Sequence, residues 1–202
     1  MKLYYFPGAC SFAPHLVARE AGIPLDLEKV DLGSKRTASG EDYATVNPKG
    51  YVPALRLDDG SVLTEVSALI QYLADLAPAS GLIPAAGTME RYRVLEWIGY
   101  IATEIHKGFG PLWNAKLAPE ARAAAVTALA HRLDLVEQAL SRQPFLTGQA
   151  FGVADAYLFT VVSWAPWVKL DMAPWPKLRD FVARIGARPK VQEALAAEGM
   201  SE

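Results

Sequence analysis

One cysteine stands in this 202-residue chain, Cys10, and it falls where one local pattern gives way to another. Lys2-Leu3-Tyr4-Tyr5-Phe6 reads as a strand that Pro7-Gly8 ends. From Phe12 to Ala21, Ala13, Leu16, Val17 and Ala21 share a helical face, and Gly22 stops the helix. Ser11 is placed to cap that helix, and Pro14 is tolerated in its first turn. A thiol at such a turn meets unpaired backbone N–H groups and the positive end of the helix dipole, which favour thiolate. Position alone leaves two readings open: a reactive thiol, or a small buried hydrophobe.

The count of cysteines narrows the chemistry. A Cys-x-x-Cys pair resolves its own disulfide, and this chain has no second thiol. If Cys10 does redox work, the partner thiol comes from outside. A small abundant cytosolic thiol such as glutathione is the natural candidate.

Two further turns carry polar or backbone groups that can meet a ligand. Asn47-Pro48-Lys49-Gly50-Tyr51-Val52-Pro53 is a turn-rich approach to a strand. Pro53 is either an ordinary trans proline opening that strand, or a cis one that turns a backbone edge outward. Thr64-Glu65 opens a helix, with Thr64 as cap and an acidic residue suited to the dipole. The Glu65 carboxylate could also receive a ligand amine, though taken alone the helix-start reading is favoured. His106 on its own reads as a helix-surface or core histidine. The three histidines, His15, His106 and His131, lie at no metal-ligand spacing, so no metal is expected.

These residues need elements to hold them, and the chain divides near Pro78–Thr88. Before it, Leu25 to Val30 is a second strand. Pro53 to Leu57 and Ser61 to Leu63 form a hairpin about Asp58-Asp59-Gly60, and Glu65 to Ala77 is a helix that Pro78 ends. After it the pattern is helical: Met89 to about Trp113, Pro119 to about Ser141, a buried stretch from Ala156 to Val168, and further helices punctuated by prolines. The expected fold is an α/β domain of order βαβ–ββα over residues 1–78, a linker over 79–88, and an all-α domain over 89–202.

Bulk properties exclude several classes. Half the residues (51%) are hydrophobic and 21% charged, an ordinary globular balance rather than disorder. The net charge is −2 with no dense Lys/Arg run, so no nucleic-acid partner is expected. No apolar stretch is long enough to span a bilayer, so no membrane partner is expected either. No secretory signal pattern precedes Cys10, and a reducing cytoplasm is the expected compartment.

Taken in order, strand–Cys10–helix, Val52-Pro53 and Thr64-Glu65 resemble the thioredoxin-like domain of glutathione transferases, and the second half resembles their all-α domain. Pro7-Gly8-Ala9-Cys10-Ser11, Glu90-Arg91-Tyr92-Arg93-Val94-Leu95-Glu96-Trp97 and Glu104-Ile105-His106-Lys107-Gly108-Phe109 are similar to the bacterial beta class. The resemblance implies that Ala9 and Cys10 lie by the glutathione sulfur, and that Cys10 can form a mixed disulfide with it. It implies a cis Pro53, with Tyr51 beside it, and Val52 backbone bonds to the cysteinyl part. Glu65 would bind the γ-glutamyl amine, the Val66 N–H the γ-glutamyl carboxylate, and Lys35 the glycyl carboxylate. His106 and Lys107 match a pair near the sulfur, which implies that His106 can hold or relay a thiol proton near neutral pH. Trp164 matches a wall of the second-substrate pocket, with Phe109 and Trp113 as further walls.

Three positions depart from the family pattern. Val66 stands where Ser or Gly is typical. Gly99 stands where many relatives have an Asn that reaches glutathione in the neighbouring subunit, with Glu104 still available there. Gly152 replaces the usual Ser or Thr cap, with Asp155 three residues on. The implied activity is conjugation of glutathione to small hydrophobic electrophiles by a homodimeric enzyme, with disulfide or peroxide reduction through Cys10 as a second activity. The alternatives are a glutathione-dependent dehalogenase or lyase, or a non-catalytic protein that binds hydrophobic ligands.

Overall fold

A computed structural model describes residues 1–200. By contact the chain forms two compact units: Met1–Ile83 with the stretch from Ala187 onward, and Pro84–Gly186. The sequence placed everything from 89 onward in the second domain, whereas the contacts group the C-terminal stretch with the first unit.

The first unit holds five strands, β1 (Lys2–Tyr5), β2 (Asp26–Asp31), β3 (Arg36–Thr37), β4 (Ala54–Arg56) and β5 (Val62–Thr64), in the order β3-β2-β1-β4-β5. The helices in chain order are α1 (Phe12–Glu20), α2 (Tyr43–Val46), α3 (Val66–Leu76), α4 (Met89–Tyr100), α5 (Lys107–Phe109), α6 (Pro119–Arg142), α7 (Val153–Val162), α8 (Pro176–Gly186) and α9 (Pro189–Ala197). Strands β1 and β2 run parallel and need a crossover, which α1 supplies. The β1–β4, β4–β5 and β2–β3 pairs are antiparallel.

Strand alternation fills both faces of the sheet. Tyr4 opposite Ala54 joins Val30, Tyr43, Val46 and Val52 in one core cluster, with Ala9 and Leu32 packed on it. Leu3 opposite Leu55 has the other parity, and both are fully buried. Helix α1 packs against α3 and α9. The sequence pattern missed β3 and α2, which are too short to show a period. Helix α2 starts because Asp42 Oδ1 accepts the Ala44 N–H at 3.0 Å.

The second unit centres on α7, whose ten residues are all buried, so it is packed on every side. The stretch read as one helix from Ala156 to Val168 ends earlier, at Val162, and gives way to turns before Pro166. Thr88 caps α4 by accepting the Arg91 N–H at 3.2 Å. The helix expected from Met89 to Trp113 changes form: a π-helical turn covers Ile101–His106, α5 comes next, and a 3-10 turn covers Gly110–Trp113. Each residue gained by such a turn rotates the later residues by about 100° relative to a plain α-helix. Among the described residues no helix is long and apolar enough to cross a membrane.

Candidate functional site

Cys10 sits in the turn just before α1, preceded by Gly8 in the left-handed region at φ +69°. That conformation suits a residue without Cβ and lets the chain double back toward the helix. Ser11 occupies the N-cap position but makes no cap bond. Its hydroxyl instead accepts the Phe6 N–H and donates to the Phe6 carbonyl, each at 3.2 Å, and so ties the ends of the turn together. The cap role expected of Ser11 is therefore corrected. Ala9 closes the same turn, donating to Phe6 and accepting from Phe12, both at 3.0 Å.

The Cys10 thiol donates to the Val52 carbonyl at an S···O distance of 3.3 Å. The Val52-Pro53 bond is cis. This loop is held from behind. Tyr43 Oη and Asn47 Nδ2 both donate to the Tyr51 carbonyl, at 2.8 and 2.7 Å. Burial pushes the Tyr43 hydroxyl up to about 12, so it stays a donor at any ordinary pH. The Tyr51 ring itself is three-quarters exposed (75%).

Lys35 has φ +58°, and its Nζ donates to the Gly50 carbonyl at 3.0 Å, which brings it onto the same loop. At the loop's other end Lys49 Nζ lies 2.7 Å from Glu65 Oε1. Glu65 is the N-cap of α3 and has φ +73°, a strained conformation for a residue with a Cβ. Its carbonyl accepts from Ala68 and Leu69, while its side chain makes no cap bond. Thr64 ends β5 and is not the cap, contrary to the sequence reading. The Val66 side chain is buried, so this residue offers a ligand its backbone N–H at the first position of α3. Cys10, Lys35, Tyr51, Val52, Pro53, Glu65 and Val66 thus all gather about the 49–53 loop of the first unit.

In the second unit His106 closes the π-turn. Its Nδ1 lies 2.8 Å from the Tyr157 hydroxyl, and its ring packs edge-on against Trp164 at 5.0 Å and Tyr157 at 5.9 Å. Burial, with the adjacent Lys107 charge, pushes the imidazole down to about 4. It is therefore neutral at physiological pH, which favours a hydrogen-bonding part over proton storage. Trp164 also meets Phe109 and Trp113, each at 5.8 Å, and Trp113 meets Trp167 at 6.2 Å. Phe109 and Trp164 are buried, whereas Trp113 and Trp167 are about half exposed. Phe109 thus supports the aromatic cluster from within. Glu104 Oε2 accepts from Arg132 Nε at 3.1 Å in its own unit.

Asp155 does the folding work expected of it: Oδ1 accepts the Leu146 N–H and Oδ2 the Gly152 N–H, at 2.8 and 2.9 Å. Among the described residues no group of His, Cys, Asp or Glu is arranged to hold a metal ion. The sequence reading passed over Tyr43, Asn47, Lys49 and Tyr157. Asn47 and Lys49 lie in a stretch legible as a turn, but nothing local marks Tyr43 or Tyr157.

Comparison with known proteins bears on the family and the fold. Residues 8–76 match the family model for the glutathione S-transferase N-terminal domain, and residues 100–189 match that for the C-terminal domain. The chain is 48% identical over 200 residues to glutathione S-transferase GstA of Escherichia coli O157:H7, covering 99% of this chain and all of that one. Its structure superposes on a glutathione transferase from Methylococcus capsulatus with a TM-score of 0.97, at 56% identity and 99% of each chain. A beta-class glutathione S-transferase from Sphingomonas chungbukensis gives a TM-score of 0.95 at 43% identity over all of both chains.

Proposed function

Because the chain belongs to the glutathione S-transferase family, in its bacterial beta class, we propose that it joins the sulfur of glutathione to small hydrophobic electrophiles. The observation that carries the reading is the Cys10–Val52 contact at 3.3 Å, with Lys35 and Glu65 attached to the same loop. A tripeptide anchored at both ends places its central thiol between the anchors. Here Glu65 and the Val66 N–H serve the γ-glutamyl end, Lys35 the glycyl carboxylate, and the Val52 backbone the cysteinyl part. Tyr51, Val52 and Pro53 owe their placement to Tyr43 and Asn47.

Glutathione is a co-substrate, and its thiolate is the attacking group. The N-terminus of α1 supplies N–H groups and a dipole that favour sulfur charge beside Cys10. The electrophile loses its leaving group as the new C–S bond forms. Cys10 has a second chemistry: its thiolate attacks the glutathione sulfur of a mixed disulfide, giving a Cys10–glutathione disulfide and releasing the other thiol; a second glutathione thiolate then attacks that disulfide, freeing the Cys10 thiolate and leaving as oxidised glutathione. In the second unit His106 contributes as a neutral imidazole with Tyr157 on Nδ1 and the Lys107 charge beside it. Trp113, half exposed and backed by the buried Trp164 with Phe109 behind it, offers the aromatic surface for the electrophile.

The dehalogenase or lyase and the non-catalytic readings are not favoured, since the full-length relatives are named glutathione transferases. We place the enzyme in the cytoplasm as a homodimer, with Glu104 engaged by Arg132 in its own chain. Sedimentation of the purified protein tests the dimer, and a monomer mass contradicts it. The test of the site is Glu65→Gln with an aryl halide as electrophile. The KM for glutathione is expected to rise roughly tenfold, the cost of a lost charge-assisted bond, with kcat moved less. An unchanged KM contradicts the assignment of Glu65.

A further inference from the structure

The acidic end of the site already holds a cation. Lys49 Nζ is 2.7 Å from Glu65 Oε1 and 3.0 Å from Thr64 Oγ1. Both side chains are more than half exposed, 53% for Lys49 and 66% for Glu65. Burial therefore does not fix the carboxylate; the left-handed backbone of Glu65, φ +73°, sets where it projects.

Resting on the reading of Glu65 as the amine-binding carboxylate, we propose that Lys49 is a further specificity-determining residue. It occupies Glu65 before the ligand arrives, and it favours a ligand whose amine has a carboxylate beside it. An exposed ion pair is held weakly, so a ligand ammonium can displace Lys49. The displaced ammonium stays close by, tethered on a four-carbon stem with three rotatable donors. The γ-glutamyl end of glutathione carries its ammonium and carboxylate on one carbon. When that ammonium takes Glu65, the carboxylate comes to the Val66 N–H at the start of α3 and into reach of Lys49. The cation is paired again. An amine without the carboxylate leaves Lys49 unpaired beside a second positive charge, and that arrangement is disfavoured. Lys49 thus penalises simple amines and spares amino acids.

The test compares two ligands on the full-length protein by titration calorimetry at low ionic strength. One is glutathione; the other is 4-aminobutyryl-cysteinylglycine, which lacks only the α-carboxylate. Lys49→Met keeps the stem and removes the charge, and at an exposed position it leaves the fold intact. The ratio of the two Kd values is expected to narrow about three- to fivefold in the variant, the scale of an exposed ion pair. Glutathione loosens and the analogue tightens. An unchanged ratio overturns the role of Lys49. Glu65→Gln separates the two levels: if it binds glutathione as tightly as the parent, the reading of Glu65 fails and the role of Lys49 with it. If it binds weakly while the Lys49→Met ratio is unchanged, the role of Lys49 alone fails.

Discussion

Glu198 Oε2 accepts the Gly8 N–H at 3.0 Å, so a residue from the far end of the chain holds the turn that carries Cys10. The other carboxylate oxygen meets His15 Nδ1 on α1 at 2.9 Å, and both side chains are almost completely buried. Arg19 Nε donates to the second nitrogen of the same imidazole at 3.3 Å.

Glu198→Ala removes the carboxylate that accepts the Gly8 N–H and meets the buried His15. Leaving a buried polar group without its hydrogen-bond partner costs about 1–3 kcal/mol. The expected result is a large drop in the urea midpoint of the full-length protein, with loss of activity at temperatures where the parent is active. A midpoint within experimental scatter of the parent contradicts the role given to Glu198.

His106 titrates at about 4 in the folded protein, against about 6.5 when unfolded. The unfolded chain therefore binds the extra proton first, and stability falls as pH drops from about 6.5 toward 4 through this group. Above pH 6 its charge does not change in the native state. A histidine NMR titration of the parent is expected to show the His106 resonance flat from pH 6 to 8. A midpoint near 6.5 contradicts the neutral assignment.

Asp155 moves the other way: burial raises it to about 7, against the lowering pull of the Leu146 and Gly152 N–H groups. Its unfolded value is near 4. The native state keeps the proton longer, so its contribution to stability is full below about pH 4 and declines as pH rises toward 7. Asp155→Asn lacks this titration, and the gap in urea midpoint between parent and variant is expected to narrow from pH 4 to pH 7. A gap that is constant with pH contradicts it.

Two helical glycines separate packing from propensity. A Cβ at Gly99 on α4 meets nothing within 4 Å, whereas at Gly108 it meets Leu129 Cδ1 at 3.0 Å. Gly99→Ala is expected to stabilise by about 0.5–1 kcal/mol, the helix-propensity gain. Gly108→Ala gains the same propensity but must shift the buried Leu129, and its thermal midpoint is expected below that of Gly99→Ala. Equal midpoints contradict the tight contact at Gly108.

The parts legible in the sequence were those written in local pattern. The β1 run, the α1 and α3 faces, and the turns at Pro7-Gly8 and Asp58-Asp59-Gly60 all mark themselves within a few residues. The order of Cys10, Val52-Pro53 and Glu65 pointed to the loop that gathers them. What the sequence hid depends on distance or on small displacements of register. Glu198 reaches Gly8 across nearly the whole chain, and Tyr43 and Asn47 act through a backbone carbonyl rather than a motif. The π-turn at Ile101–His106 has no proline or glycine break to announce it. Ser11 and Thr64 looked like caps because their residue types suit one; the hydroxyls found other partners, Phe6 and Lys49.

The most direct test measures the parent and Cys10→Ala side by side, with glutathione and an aryl halide, and with a glutathione mixed disulfide. The parent is expected to form the thioether and to reduce the disulfide. Cys10→Ala is expected to lose disulfide reduction while keeping part of the conjugation, because the attacking sulfur in conjugation belongs to glutathione. Unchanged rates on both substrates would contradict a catalytic Cys10, and no thioether from the parent would contradict the transferase reading itself.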